Sequence, residues 1–214
     1  MTRGIVTVGT SDHFIGGVER LKKIIGDSEN IHAHYDFPSG SPTHQEIPYA
    51  FKPYAIEQAP FDLVLWCDSS IIPLRPLNPI WKLIETQGYW FSRNYDYTNG
   101  EFCCDDALPI LGATREESFK IPHVVATCFG LNMRDPVARY FLSRWKALAQ
   151  AFKGPWRNDS GEASSDPRVR GHRHDQSAAS VVAYRLEMRL TDPPDYFAEQ
   201  GFPTSPSTIL TVHR

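Results

Sequence analysis

The sequence predicts an α/β fold in which a mostly parallel central sheet is flanked by helices. Three observations predict it. Phe61–Cys67 (FDLVLWC) is a largely apolar run without alternation, the pattern of a strand buried on both faces. Strand-like and helix-like stretches alternate from end to end, with no internal repeat and no linker. The 214 residues, 41% of them hydrophobic, suffice for one sizeable core. In open sheets of this kind ligands sit beyond the carboxyl ends of the strands. Asp68, Ser69 and Ser70 hold that position after the central run. A carboxylate there can hold a divalent cation, and a cation can hold a diphosphate; Asp68 can equally cap the next turn.

Gly4–Val8 is a β-branched first strand. It leads through a small polar loop into a helix with Phe14, Ile15, Val18, Leu21 and Ile25 at helical spacing, ending near Gly26. Thr10 and Asp12 in that loop face the same sheet edge as Asp68, within reach of a nucleotide base or ribose; taken alone, Asp12 reads as the helix N-cap. Ile31–Phe37 alternates as a second strand, with His32 and His34 on one face, and Pro38–Pro48 is a turn-rich loop. Tyr49–Gln58 reads as a helix carrying Lys52, which either reaches a bound phosphate or is solvated. After Asp68, Ile71–Pro79 is a proline-punctuated crossing, Asn78 caps a helix over Pro79–Gln87, and Gly88–Phe91 is a short strand.

Ser92–Asp106 reads as a polar, aromatic loop in which Arg93, Asn94, Tyr95 and Tyr97 could stack an acceptor sugar or pack the loop down. Thr114 and Glu117 have capping-box spacing. Val124–Leu131 is a second near-continuous apolar strand. Asp135-Pro136 opens a long helix with Val137, Tyr140, Phe141, Trp145, Leu148 and Phe152 as its buried stripe. Residues 153–174 form a long Gly-, Pro-, Ser- and Arg-rich loop, either a flexible lid whose Arg157, Arg168, Arg170 and Arg173 meet a phosphate or a solvated segment. Asp175–Leu186 restarts a helix with a carboxylate at its N-terminus, where exposed N–H groups favour negative charge. Glu187–Thr191 and Thr208–Val212 are short strands separated by proline-rich coil, and His213 follows the last.

A net charge of -3 argues against general nucleic-acid binding. The four cysteines form no CxxC pair, and Cys67 and Cys128 lie in apolar runs, a usage that suits a reducing compartment. The start lacks a signal-peptide pattern and no run is long enough to cross a bilayer, so the expectation is a soluble cytoplasmic protein with no transmembrane segment.

Val64–Leu77 (VLWCDSSIIPLRPL), Lys52 ahead of it, Cys128–Ala149 and the HDQ at the start of His174–Leu186 (HDQSAASVVAYRL) together resemble the GT-A-fold, nucleotide-sugar-dependent glycosyltransferases. The glycogenin- and galactosyltransferase-like retaining branch is the most similar, and the likeness covers roughly half of the chain. The resemblance implies a single GT-A-like, Rossmann-like domain over 1–214, with 1–92 binding the nucleotide and 93–214 facing the acceptor. It implies transfer of a sugar from a nucleotide-diphosphate sugar to a hydroxyl of a glycan or glycoconjugate, with Mn2+ or Mg2+ at the motif. By position it implies Asp68, Ser70 and His213 as metal ligands; Thr10, Asp12, Lys52, Asp68, Ser69, Ser70 and Arg173 at the donor; and Asp175 and Gln176 at the reacting carbon. The family's motif has a second Asp where this chain has Ser70, a neutral and poorer ligand. Asp68 and Asp175 are expected to converge across one crevice wide enough for a sugar. The alternatives are a catalytically degenerate nucleotide-sugar-binding module, a sugar nucleotidyltransferase, which VGTSDHF with its single glycine fits poorly, and a hydrolytic metal cluster of His172, His174 and Asp175.

Overall fold

The computed structural model describes residues 1–155, 160–199 and 201–212. Strand β1 is Arg3–Val8, and helix α1, Asp12–Ile25, ends on Gly26 at a φ of 55°. Strand β2 (Ile31–His34), helix α2 (Phe51–Gln58), strands β3 (Leu63–Cys67) and β4 (Ile71–Pro73), helix α3 (Asn78–Gln87) and strand β5 (Tyr89–Trp90) follow. The second half supplies β6 (Arg93–Thr98), α4 (Ala107–Leu111), α5 (Arg115–Ser118), β7 (Pro122–Val124), β8 (Cys128–Asn132) and α6 (Pro136–Ala147). The single turn α7 (Ser160–Ala163), α8 (Asp175–Arg185), β9 (Tyr196–Ala198) and β10 (Thr208–Val212) complete it.

The main sheet runs β2-β1-β3-β8-β5. β1 pairs in parallel with β2 and β3, while β8 is antiparallel to both of its neighbours, β3 and β5. β4, β10 and β9 form a smaller sheet, and β6 pairs with β7. All residues of β3 are buried, and the two-residue period sends Val64 and Trp66 to one face and Leu63, Leu65 and Cys67 to the other. The first face packs on Phe129, Phe141, Trp145 and Phe152, the second on Leu21, Trp81, Ile84 and Leu210. Each such buried side chain stabilises the fold by about 1.5–3 kcal/mol. Cys67 and Cys128 stand opposite each other in the β3–β8 register, and all four thiols are free and buried.

Several expectations shift. Val124–Leu131 is two strands, because Val125–Thr127 leaves the β6–β7 pair before β8 enters the main sheet. Val137 and Tyr140 are 39% and 55% exposed; the buried stripe of α6 is Ala138, Phe141, Leu142 and Trp145. Asp135 caps that helix through Val137 N and Ala138 N, and Thr114 and Glu117 form the capping box. Ser11, not Asp12, is the N-cap residue of α1, and Leu77, not Asn78, that of α3. The expected loop Ser92–Asp106 contains β6, and the proline-rich coil contains β9. Thr191 makes an isolated bridge to Ser92 where a strand over Glu187–Thr191 was expected.

Gly17 decides how closely α1 approaches the end of β3. A Cβ there would lie 2.4 Å from the backbone oxygen of Ser69, which also accepts a hydrogen bond from Arg20 Nη2 at 3.0 Å. Backbone cannot swing aside as a side chain can, so Gly17→Ala is expected to destabilise the protein by about 1–3 kcal/mol, as overpacking does. Urea unfolding of the variant checks this, an unchanged midpoint being the contrary result.

Candidate active site

The carboxylates of Asp68 and Asp175, separated by more than a hundred residues in the chain, meet on one ammonium group. Asp68 follows β3, and its N–H is fixed by Thr127 O at 2.8 Å. Asp175 is the first residue of α8, where the unpaired helical N–H groups favour a negative side chain. Lys52 on α2 reaches between them. Its Nζ lies 2.9 Å from Asp68 Oδ1, 2.9 Å from Asp175 Oδ2 and 3.0 Å from Ala126 O. The ammonium donates to Asp68 Oδ2 at 3.2 Å and to Ala126 O, and it meets Asp175 as an ion pair. Lys52 is 2% exposed, so it is not solvated.

Burial alone pushes the Lys52 ammonium down, but the two carboxylates outweigh it and hold the group above its ordinary value. Burial raises Asp175 to about 6, with Lys52 opposing the rise and Asp68 adding to it. Trp66, two residues before Asp68 and on the same face of the strand, donates from Nε1 to Asp68 Oδ1 at 2.8 Å. The Tyr49 ring lies 4.8 Å from Nζ, a cation–π contact. Two residues beside the cluster carry strained backbone: Tyr49 at φ 61° and His174 at φ 47°. His174 is fixed through Nδ1 to Phe152 O at 2.8 Å, and Trp145 Nε1 donates to Asp175 O at 2.9 Å.

The expected crevice between the two aspartates is therefore filled by the lysine, because two buried carboxylates this close require a counter-charge. The Asp175 side chain is 6% exposed and that of Asp68 is 20%. Solvent meets the cluster where Asp68, Ser70 and Gln176 are partly exposed. A cleft of 480 Å³ lined by Pro122, Val124, Tyr184 and Met188 lies at the other end of α8, away from this chemistry.

The remaining candidates are distributed around the cluster. Thr10 and Asp12 follow β1, whose carboxyl end shares the sheet edge with Asp68; Thr10 is partly buried and Asp12 exposed. Ser69 is buried and Ser70 partly exposed. Arg173 holds its guanidinium 4.9 Å from the centre of the Phe102 ring. Arg168 pairs with Asp166 and Glu116, and Arg170 with Glu101, so this part of the 153–174 segment is strapped to α5 and the turn before α4. Arg157 and His213 lie outside the described residues. The hydrolytic cluster is not formed: His172 spends Nδ1 on Cys104 N and Nε2 on Ala151 O. Among the described residues no three His, Cys, Asp or Glu gather as metal ligands.

Sequence reading missed His123, which with Asn94 meets Gln176 beside the cluster. A polar residue directly before the apolar run Val124–Leu131 was the available signal. It also missed Trp66, although the two-residue period of a strand places Trp66 and Asp68 on one face.

Lys52→Met leaves two carboxylates without their counter-charge and is expected to destabilise the protein by about 3–5 kcal/mol, measured by urea unfolding, with partial recovery on adding Asp175→Asn. His123 and His172 are fully buried, and burial first, then neighbouring Arg173 or His174, pushes each ring down to about 3. Their folded values lie below the unfolded one, so the stability they contribute is complete above about pH 6.5 and is lost as pH falls from there towards 3. These two rings are expected to contribute a fall of about 2.7 kcal/mol per pH unit near pH 5, opposed by roughly half as much from Asp175, whose carboxyl is raised to about 6. A flat profile between pH 6.5 and 5 contradicts it.

No family model matches this sequence, and a comparison with curated proteins finds no match. Solved structures do match in fold. Mouse xyloside xylosyltransferase 1 in its apo form is similar over 100% of this chain and 98% of its own, at a TM-score of 0.56 and 10% identity. A glycosyltransferase involved in glycosylation of the major capsid of PBCV-1 matches over 99% and 93%, at 0.55 and 13%. The bifunctional glycosyltransferase WbbM matches over 99% of this chain and 45% of its own, at 0.56 and 10%. At these identities the likeness is one of architecture: the chain has the GT-A-like α/β fold of glycosyltransferases.

Proposed function

We propose that this chain is a glycosyltransferase that moves a sugar from a nucleoside-diphosphate sugar to a hydroxyl of a glycan or glycoconjugate. The meeting of Asp68 and Asp175 on Lys52, at the carboxyl edge of a sheet of this architecture, carries the reading. Residues 1–92 bind the nucleotide and 93–214 face the acceptor. Thr10 and Asp12 lie at the base or ribose, and Ser69, Ser70 and Arg173 at the diphosphate.

Cleavage of the bond between the anomeric carbon and the diphosphate puts positive charge on the sugar ring and negative charge on the leaving group. The cluster sets two carboxylates against one ammonium, and a divalent cation, if bound, would be held by Asp68 and Ser70. Mn2+ or Mg2+ bound there would neutralise the leaving diphosphate. Lys52 holds the carboxylates in register rather than touching the phosphates, since it is buried between them. Asp175, raised to about 6, is ionised at neutral pH and sits near the reacting carbon, able to accept the acceptor's proton or to stabilise the positively charged ring. Gln176, the next residue, turns an uncharged dipole to the same place.

Ser70 in place of a second carboxylate favours a second reading, a module that binds a nucleotide sugar without turning it over. Turnover of a panel of UDP-, GDP- and TDP-linked sugars, with and without Mn2+, separates the two: binding without hydrolysis or transfer under every condition supports the module. Asp175→Asn is expected to lower turnover by about 100-fold or more while donor affinity stays within about threefold. Asp68→Ala is expected to weaken calorimetric donor affinity by about tenfold or more. Full turnover in the first, or unchanged affinity in the second, removes that residue from the site.

A further inference from the structure

Gln176 leaves the first turn of α8 with its Nε2 3.3 Å from Nδ1 of His123, and Asn94 Nδ2 lies 3.1 Å from the same ring nitrogen. Two amide N–H groups aimed at one imidazole nitrogen make that nitrogen an acceptor and leave the ring proton on Nε2. His123 is 0% exposed and Asn94 4%. The strand that carries the ring is tied to the same turns of α8: Val124 N donates to Ser180 Oγ at 3.0 Å, and Ser180 Oγ donates to Gln176 O at 2.8 Å. The Phe102 ring, 5.1 Å from the imidazole, closes its side. With Nε2 committed to His123, the free end of the Gln176 side chain is its carbonyl Oε1, which is not buried and accepts no hydrogen bond among the described residues.

We propose that His123 is a positioning residue for Gln176: by accepting from the amide nitrogen it presents the amide oxygen to the sugar during transfer. The inference rests on the transfer proposed above. An unrestrained amide can flip and offer its positive NH2 end, whereas a restrained one offers the negative end of its dipole to a ring that becomes positive. Stability alone does not select this arrangement. Asn94 Oδ1 and His123 Nε2 are buried without a partner among the described residues, where an apolar pair would leave nothing unsatisfied. Both amides approach Nδ1, so the ring orients Asn94 and Gln176 together.

The test compares three replacements at one position. The amide oxygen of Asn falls where His carries Nδ1; that of Gln falls where His carries Nε2; Phe keeps the ring shape and has no acceptor. His123→Phe is expected to lower kcat by about 10- to 100-fold with donor KM within about threefold, and His123→Asn to recover kcat to within about threefold of the parent. Unchanged kcat in His123→Phe overturns the proposal. If that variant does not fold, His123→Asn and His123→Gln decide it: the first active and the second at least tenfold slower supports it, and equal rates overturn it. A readout independent of turnover distinguishes failure of this inference from failure of the transfer reading. Long-range 1H–15N spectra of the unmodified chain are expected to show His123 as the neutral Nε2–H tautomer with the Gln176 side-chain amide protected from solvent exchange. An Nδ1–H tautomer, or an unprotected amide, overturns the proposal whether or not any donor is turned over.

Discussion

One buried ammonium group joins the parts of this molecule that matter most. Lys52 takes an acceptor from the end of β3, another from the start of α8 and a third from the segment between β7 and β8. None of these elements is adjacent in sequence to another. The pairing works in both directions. A lysine with 2% exposure is tolerable only because two carboxylates surround it, and the carboxylates can approach one another only because the lysine stands between them.

The surroundings restrain this cluster on its buried sides. Trp66 fixes one oxygen of Asp68, Trp145 fixes the backbone of Asp175, and His174 is pinned to Phe152 O although its own backbone is strained. Tyr49 carries a similar strain against Lys52. Strain concentrated on both flanks of a charged cluster, with large buried aromatic groups behind it, describes a site whose geometry is set by the whole core rather than by its own loops. The side of the cluster that meets solvent is formed by Asp68, Ser70 and Gln176.

What the sequence made legible follows from which signals are local. The unalternating run of β3 and its terminal carboxylate were readable because burial on both faces leaves no polar position, and Asp135-Pro136 and Thr114–Glu117 because capping is chemistry within four residues. The direction of β8 was not readable, since an apolar run carries no arrow; only its partners make it antiparallel. The stripe of α6 was misjudged because Val137 and Tyr140 also fit a helical period, and tertiary contact chose the neighbouring face instead. The fate of Lys52 was invisible for the same reason. A cation on a helix of weak amphipathic character reads as phosphate-reaching or solvated until a distant carboxylate is known to arrive. His123 was hidden in an apolar strand, where its partners came from β6 and α8.

The strand order has a consequence for how the chain is made. β8 lies between β3 and β5, so as residues emerge in order from a ribosome, β5 has no neighbour in the main sheet until Asn132 has appeared. At that stage Lys52 has only one of its two carboxylates, the other lying more than forty residues further along. Until Asp175 emerges, Lys52 is balanced one-to-one by Asp68 alone, and the second carboxylate joins the cluster only after the main sheet has all its strands.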